Sequence, residues 1–139
     1  MTNKIAELIQ SRRAQRHATD TGTRVHAKLQ HATRDTIAPY IKNCPRLEKY
    51  FIPNARTEVP IAGFIGDKFI SRRIDRMIVD NDTKKILILD YKTDINRNTH
   101  RPKYICQLRE YRKLIQMIYP DFDIETSILW THDWTLEKI

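Results

Sequence analysis

The chain of 139 residues, 40% hydrophobic and 30% charged, is sized for a single domain with one core, and its net charge of +8 favours a polyanionic partner such as nucleic acid. Three glycines, six prolines and two cysteines exclude collagen-like, low-complexity and disulfide-scaffold proteins and a cysteine-ligated iron–sulfur cluster. No apolar run reaches the length of a membrane span and no signal-peptide pattern follows Met1, so we expect a cytoplasmic protein with no membrane partner.

Two helices are predicted near the start of the chain. Residues 3–17 carry a short apolar pattern and then turn basic, at Arg12, Arg13 and Arg16. Asp20 and Thr21 are suited to cap a second helix that begins near Gly22. We therefore expect residues 1–21 to form a basic helical extension and residues 22–139 to form the domain, with His26 beside the apolar face of the second helix.

The rest of the chain predicts strands around one long helix. Strands are predicted at Thr57–Gly63, 68–79, Lys85–Lys92 and Ile124–Trp130, and a helix at 101–118. The helix has an apolar stripe made of Tyr104, Leu108, Tyr111, Ile115 and Ile118. This α-β-β-β-α-β order indicates an α/β fold with a central mixed β-sheet flanked by helices.

Asp75 and Asp90 are predicted to face each other on adjacent strands. If residues 81–84 form a four-residue hairpin loop, Val79 pairs with Ile86 and Asp75 lies opposite Asp90, with Cβ atoms about 4.5–5.5 Å apart. Carboxylates this close repel each other unless a cation lies between them. Mg²⁺ is commonly held by one or two carboxylates and by water, so the pair is a candidate magnesium site.

Lys92 shares a face with Asp90 and is a candidate catalytic group. Its ammonium could hold an attacking water or neutralise charge on a phosphate. A salt bridge, either Asp75–Lys92 or Asp90–Arg76, explains the same residues equally well. The sequence has no glycine-rich P-loop, so no ATP site is expected.

Several short motifs, in order along the chain, together resemble one nuclease superfamily. They are Gly22–His26, Glu58–Gly63, Ile74-Asp75-Arg76, Ile88–Thr93, Gln107 with Tyr111, Ile118–Pro120 and Ile128–Thr131. The pattern is similar to the PD-(D/E)XK superfamily, and within it to the RecB-like nuclease domain that ends the AddA subunit of bacterial helicase–nucleases. The resemblance runs from Gly22 to Trp134.

The resemblance implies a restriction-endonuclease-like core and a Mg²⁺-dependent nuclease, with Mn²⁺ as a substitute. By this resemblance the metal ligands are His26, Asp75, Asp90 and the carbonyl of Tyr91. Lys92 is the catalytic lysine, Glu58 is a supporting acid, and Gln107 and Tyr111 contact DNA. The implied activity is exonucleolytic cleavage of single-stranded DNA in double-strand-break repair, alongside a separate helicase subunit or helicase fragment. An inactive DNA-binding remnant and a structure-specific endonuclease are the alternatives.

Basic residues outside these motifs are candidates for backbone contact. Arg109, Arg112 and Lys113 are predicted on the face of the long helix opposite its apolar stripe, either solvated or along a phosphate backbone. Arg73 occupies a position where the family has glycine. Strand alternation places it on one face with Asp75 and Met77, where it could pair with Asp75 or reach a phosphate. We expect the phosphate contact.

Overall fold

A computed structural model describes the backbone of residues 3–139 and the side chains of residues 4–10 and 21–139. The helices are α1 (Asn3–Gln30), α2 (Arg34–Ile41), a 3₁₀ helix (Pro45–Tyr50) and α3 (Arg97–Ile118). The strands are β1 (Arg56–Ile65), β2 (Lys68–Asp80), β3 (Lys85–Lys92), β4 (Asp123–Trp130) and β5 (Thr135–Lys138). None of the helices in this described part of the chain has the combination of length and apolar character that spanning a bilayer requires.

The strands form one mixed sheet in the order β1-β2-β3-β4-β5. Neighbouring strands are antiparallel except β3 and β4, which are parallel and joined by α3. The predicted hairpin register is confirmed, since Val79 pairs with Ile86. The central position of β3 explains why six of its eight residues are buried.

Two apolar cores lie on opposite faces of the sheet. Ile86 and Ile88 pack on the α3 side with Leu108 and Ile115, whereas the alternating residues of β3 pack on the other side. The residues of that second core come from α1, α2, the 3₁₀ helix and the sheet, and include Leu29, Ile37, Leu47, Tyr50, Leu87, Leu89 and Tyr91. The fold is therefore an α/β sandwich with helices on both faces, as the sequence predicts.

The predicted break in the first helix is wrong. Helix α1 runs without interruption through Gly22, so Asp20 and Thr21 do not cap a second helix. Gly22 keeps a helical backbone, and an added Cβ there would lie 3.6 Å from Thr93 Oγ1, an ordinary van der Waals distance. Outside the described residues lie the side chains of the predicted basic segment, Arg12, Arg13 and Arg16.

Three smaller differences concern element ends. Helix α3 begins at Arg97 because the Asn96 side chain accepts from the Asn98 amide and caps it, four residues before the predicted start. Ile118, predicted in the buried stripe, is 60% exposed at the last turn. The short strand β5 has too few residues to show a pattern of its own and was not predicted from the sequence.

The strict alternation predicted along β2 fails at Asp75. Ile74 and Met77 both pack in the α3-side core although they are three positions apart, a spacing that strict alternation would place on opposite faces. The pairing of β1 with β2 skips Glu58 opposite Asp75, and Glu58 has a left-handed backbone with φ 51°. This local distortion shifts the alternation of side chains by one position between Arg73 and Met77. The two side chains therefore lie on opposite faces of the strand, and the expectation that they share a face is wrong.

Arg76, next to Asp75, is buried in the core on the α1 side. Its guanidinium donates to the carbonyl of Leu29 at 2.7 Å, the carbonyl of Tyr50 at 3.2 Å and the hydroxyl of Tyr91 at 2.8 Å. It also lies 4.3 Å from the centre of the Phe51 ring. One side chain thus connects α1, the 3₁₀ helix, β2 and β3.

Replacing Arg76 with Met should lower the free energy of unfolding by about 2–5 kcal/mol, because the buried oxygens of Leu29, Tyr50 and Tyr91 would each lose a charge-assisted hydrogen bond. Arg109→Met, on the exposed face of α3, is the matched control and should change it by less than about 0.5 kcal/mol. Urea unfolding followed by circular dichroism measures both. Equal stability of the two variants would contradict the role of Arg76.

Candidate active site

Asp75 and Asp90 meet where β2 and β3 stop pairing. The ladder between these strands ends at Arg76 and Leu89, one residue before each aspartate is reached. Beyond that point the amide of Tyr91 donates to Asp75 Oδ2 at 2.8 Å instead of to a main-chain carbonyl. A carboxylate therefore continues the hydrogen bonding of the sheet, and this explains its fixed position.

The Asp75 carboxyl is held in its charged form. Only 8% of the residue is exposed, and burial alone would raise its pKa. Hydrogen bonds to His26 and to the Tyr91 amide outweigh that effect and lower the pKa of Asp75 below its ordinary value. Asp75 is therefore a carboxylate at neutral pH, as metal binding requires.

Asp90 is still more deeply buried, with 2% exposed. Burial and the neighbouring Asp75 carboxylate outweigh the opposing effect of Lys92 and raise the pKa of Asp90 to about 7, so part of this group is protonated at neutral pH. Its Oδ2 atom is buried and accepts no hydrogen bond. The Lys92 ammonium lies 2.8 Å from this oxygen, outside hydrogen-bond geometry, so the contact is an ion pair.

Lys92 is positioned by residues of α3. Its Nζ donates to Gln107 Oε1 at 3.0 Å and lies 4.2 Å from the centre of the Tyr104 ring. Gln107 in turn donates to the Tyr111 hydroxyl at 2.8 Å, and that hydroxyl donates to the Arg73 carbonyl at 3.1 Å. The chain of contacts fixes the ammonium beside Asp90.

His26 brings α1 to the other side of Asp75. Its Nδ1 lies 2.8 Å from the carbonyl of Gly22 and its Nε2 lies 3.2 Å from Asp75 Oδ2, so the protonated imidazole donates to both oxygens. The hydrogen bond to Asp75 raises the pKa of His26 to about 9 despite its burial. A histidine oriented through Nδ1 in this way presents Nε2 as a ligand atom when it is neutral.

Glu58 and Arg73 form a pair beside the aspartates. Arg73 Nη1 lies 3.7 Å from Glu58 Oε2, and the Arg73 side chain is 67% exposed. The predicted alternative in which Arg73 pairs with Asp75 is not what the structure shows, since Asp75 bonds to His26 and Tyr91. The guanidinium of Arg73 therefore pairs with Glu58, while most of the Arg73 side chain stays exposed to solvent.

The predicted residues are thus gathered at one end of the sheet, between two clefts. His26 and Glu58 line a cleft of about 500 Å³ next to α1. Lys92 and Gln107 line another of about 390 Å³ next to α3, together with the basic side chains of Arg72 and Lys103. Neither carboxylate lines a cleft itself, but each contacts a residue that does: His26 bonds to Asp75 and Lys92 pairs with Asp90.

Tyr91 and the basic face of α3 fit the predictions less closely. The Tyr91 ring is buried and its hydroxyl accepts from Arg76, while its carbonyl as a metal ligand stays a prediction. Arg109 and Lys113 are exposed, but Arg112 turns inward and donates to Thr126 Oγ1 and the Ile139 carbonyl. Only two of the three predicted cations therefore face solvent.

The donor set suits magnesium, although it is not a preassembled cage. No group of three or more His, Cys, Asp or Glu side chains within the described residues is arranged to hold a metal ion. Mg²⁺ needs only one or two carboxylates, with waters completing its shell. The Oδ2 of Asp90 accepts no hydrogen bond and is held only by its ion pair with Lys92, so it could serve as a ligand beside the ionised Asp75 if the ammonium moved aside.

Sequence reasoning assigned Tyr104 to the apolar stripe alone. Its hydroxyl donates to both oxygens of Asp94, at 2.8 and 3.0 Å, while its ring lies beside the Lys92 ammonium. Tyr104, Gln107 and Tyr111 follow i, i+3, i+7 spacing, so one helical face carries all three. That spacing is the signal that could have identified Tyr104.

A scan against protein-family models and a search of curated proteins each returned no match for this chain.

The site should bind Mn²⁺ through its carboxylates, with heat measurable by isothermal titration calorimetry. Asp75→Asn and Asp90→Asn should each abolish binding, because the amide keeps the shape of the side chain but removes the charge that attracts the ion. Asp67→Asn, at the exposed turn after β1, is the control and should bind as the unmutated chain does. Undiminished binding in both site variants would remove the metal assignment.

Proposed function

We propose that this chain is a Mg²⁺-dependent DNA nuclease whose site consists of Asp75, Asp90 and Lys92. One observation carries the proposal. Two buried carboxyl groups lie where the pairing of β2 with β3 ends, and the ammonium of Lys92 lies 2.8 Å from the Asp90 oxygen that accepts no hydrogen bond.

A structural role alone accounts poorly for this arrangement. Burying two like charges side by side is unfavourable, and apolar residues of similar size would stabilise the fold at least as well. Perturbed carboxyl groups beside a fixed cation are typical of sites that bind and react with ligands. The two flanking clefts reach Lys92 and His26, the residues in direct contact with those carboxyl groups.

Each residue has a distinct role in phosphodiester hydrolysis. Asp75 and Asp90 would hold the Mg²⁺ ion, with His26 and Glu58 beside them. When bound, the ion supplies Lewis-acid activation of the phosphate and of the attacking water. Lys92 stabilises the negative charge that develops on the phosphate, and Gln107 holds the ammonium in place through its 3.0 Å contact.

DNA is the substrate that best fits the charge of the chain. The net charge of +8 favours a polyanion, and Arg72 and Lys103 line the cleft next to Lys92. Exonuclease action on single-stranded DNA in double-strand-break repair, with a helicase subunit or fragment as partner, rests on the family resemblance and is part of the same proposal.

A second candidate function, a DNA-binding module without nuclease activity, is favoured by one specific observation. Lys92 pairs with Asp90 and His26 bonds to Asp75, so each carboxylate has an internal counter-charge without any metal. Incubation of labelled single-stranded, duplex and branched DNA with Mg²⁺, Mn²⁺ or EDTA separates the candidates. Metal-dependent cleavage supports the nuclease, binding alone supports the module, and cleavage restricted to branched DNA supports a structure-specific endonuclease.

Lys92→Ala should lower the cleavage rate by about 10²–10³-fold, because the variant has no positioned charge to stabilise the transition state. Mn²⁺ binding should persist, since both carboxylates are retained. Lys42→Ala, at an exposed position after α2, provides the control and should cleave normally. If Lys92→Ala cleaves DNA within a few-fold of the unmutated rate, Lys92 is not catalytic and serves only as the ion-pair partner of Asp90.

Removing the two exposed cations of α3 should weaken the salt dependence of DNA binding. The Arg109→Gln/Lys113→Gln variant should lower the slope of log affinity against log salt for single-stranded DNA by about 1.4, because each phosphate that a cation neutralises adds about 0.7 to that slope. Arg112→Gln should leave the slope unchanged, because Arg112 donates to Thr126 and Ile139 within the fold. Fluorescence anisotropy at several salt concentrations checks this, and the opposite pattern would assign the phosphate contact to Arg112.

A further inference from the structure

One face of the hairpin formed by β1 and β2 is covered by no helix among the described residues. Three directly opposed cross-strand pairs form it, and all six of their residues are exposed: Pro60 with Arg73, Ala62 with Ser71, and Phe64 with Phe69. The opposite face of the same hairpin packs on α3, where Ile61 and Ile70 are buried. We call the six exposed residues the bare face.

Two aromatic rings lie at the far end of the bare face. Phe64 is 62% exposed and Phe69 is 58% exposed. Their ring centres are 5.3 Å apart and the rings are inclined at 63° to each other, so each ring leaves an open surface. Exposed aromatic rings on a sheet are the platforms on which proteins stack unpaired bases.

The near end of the bare face meets the candidate active site. The Arg73 side chain pairs with Glu58, and its carbonyl accepts from Tyr111, which is linked to Lys92 through Gln107. Phe69 lies four positions along the extended strand from Arg73, a distance of about 13 Å. On this face, only the small side chains of Ala62 and Ser71 lie between the rings and the Pro60–Arg73 pair, so the surface between them is open.

We propose that the bare face binds single-stranded DNA, with bases stacked on Phe64 and Phe69 and a phosphate bound by Arg73. This inference rests on the proposed nuclease function and identifies the surface along which the DNA strand would reach the active site. The basic charge of the chain and the exposed guanidinium between the rings and the carboxylates favour a nucleic acid over an apolar protein segment. Bases paired within a duplex do not present their faces to the rings, so the surface selects unpaired strands.

The test measures binding of a dye-labelled single-stranded oligodeoxythymidylate by fluorescence anisotropy in EDTA, where no cleavage occurs. The Phe64→Leu/Phe69→Leu variant keeps an apolar surface but removes the rings, and it should bind at least about tenfold more weakly. The matched control is Met117→Leu, at a position 61% exposed near the end of α3, which should bind normally. Circular dichroism confirms that each variant is folded.

A second probe isolates stacking from charge. An oligonucleotide of the same length with abasic sites should bind the unmutated chain about as weakly as the Leu variant binds the intact strand. Arg73→Gln should reduce the salt slope by about 0.7. Unchanged affinity in the Leu variant, or equal affinity for intact and abasic strands, would overturn the proposal. It would also be overturned if the only effect of the Leu substitutions were weaker self-association of the protein.

The result is separable from that of the nuclease assay. Ring-dependent binding in EDTA without any Mg²⁺-dependent cleavage would sustain the bare face as a DNA site and refute the nuclease function. Cleavage that persists with ring-independent binding would sustain the nuclease and refute this substrate path.

Discussion

The buried guanidinium of Arg76 is the interaction on which the arrangement of this molecule depends. It binds the Leu29 carbonyl in the last turn of α1, where the helix dipole is negative. Because His26 lies one turn earlier on α1, the same bond places the imidazole beside Asp75. Two consecutive residues of β2 thus link core and site: Arg76 fixes the helix, and Asp75 receives the histidine that the helix carries.

Neighbouring hydrogen-bond donors and a lysine stabilise the two acidic groups of the candidate site. Two carboxylates with 8% and 2% exposure would repel strongly if each stood alone. His26 and the Tyr91 amide stabilise the charge of Asp75, and Lys92 compensates Asp90 from the opposite side. Side chains of α3 hold that lysine, so the long helix contributes to the electrostatics as well as to the core.

The sequence was sufficient for most of the sheet because its signals are local. The aliphatic run of β3 and the turn after Asp80 fix the hairpin register, and that register alone brings Asp75 towards Asp90. It could not show that alternation fails at Asp75, because the cause is the left-handed backbone of Glu58 on another strand. Nor could it show the inward turn of Arg112, which depends on where the C-terminal residues return to the sheet.

The two edge strands of the sheet, β1 and β5, affect how molecules of this protein can associate. Open strand edges are templates on which other chains can pair. At one edge β5 has only four residues, too few to support an extended ladder. At the other, β1 carries Pro60, which has no amide hydrogen, and the backbone reversal at Glu58 interrupts the run of donors two residues before it. The residue that reorients the strand beside the carboxylates thereby also protects the sheet against edge-to-edge aggregation.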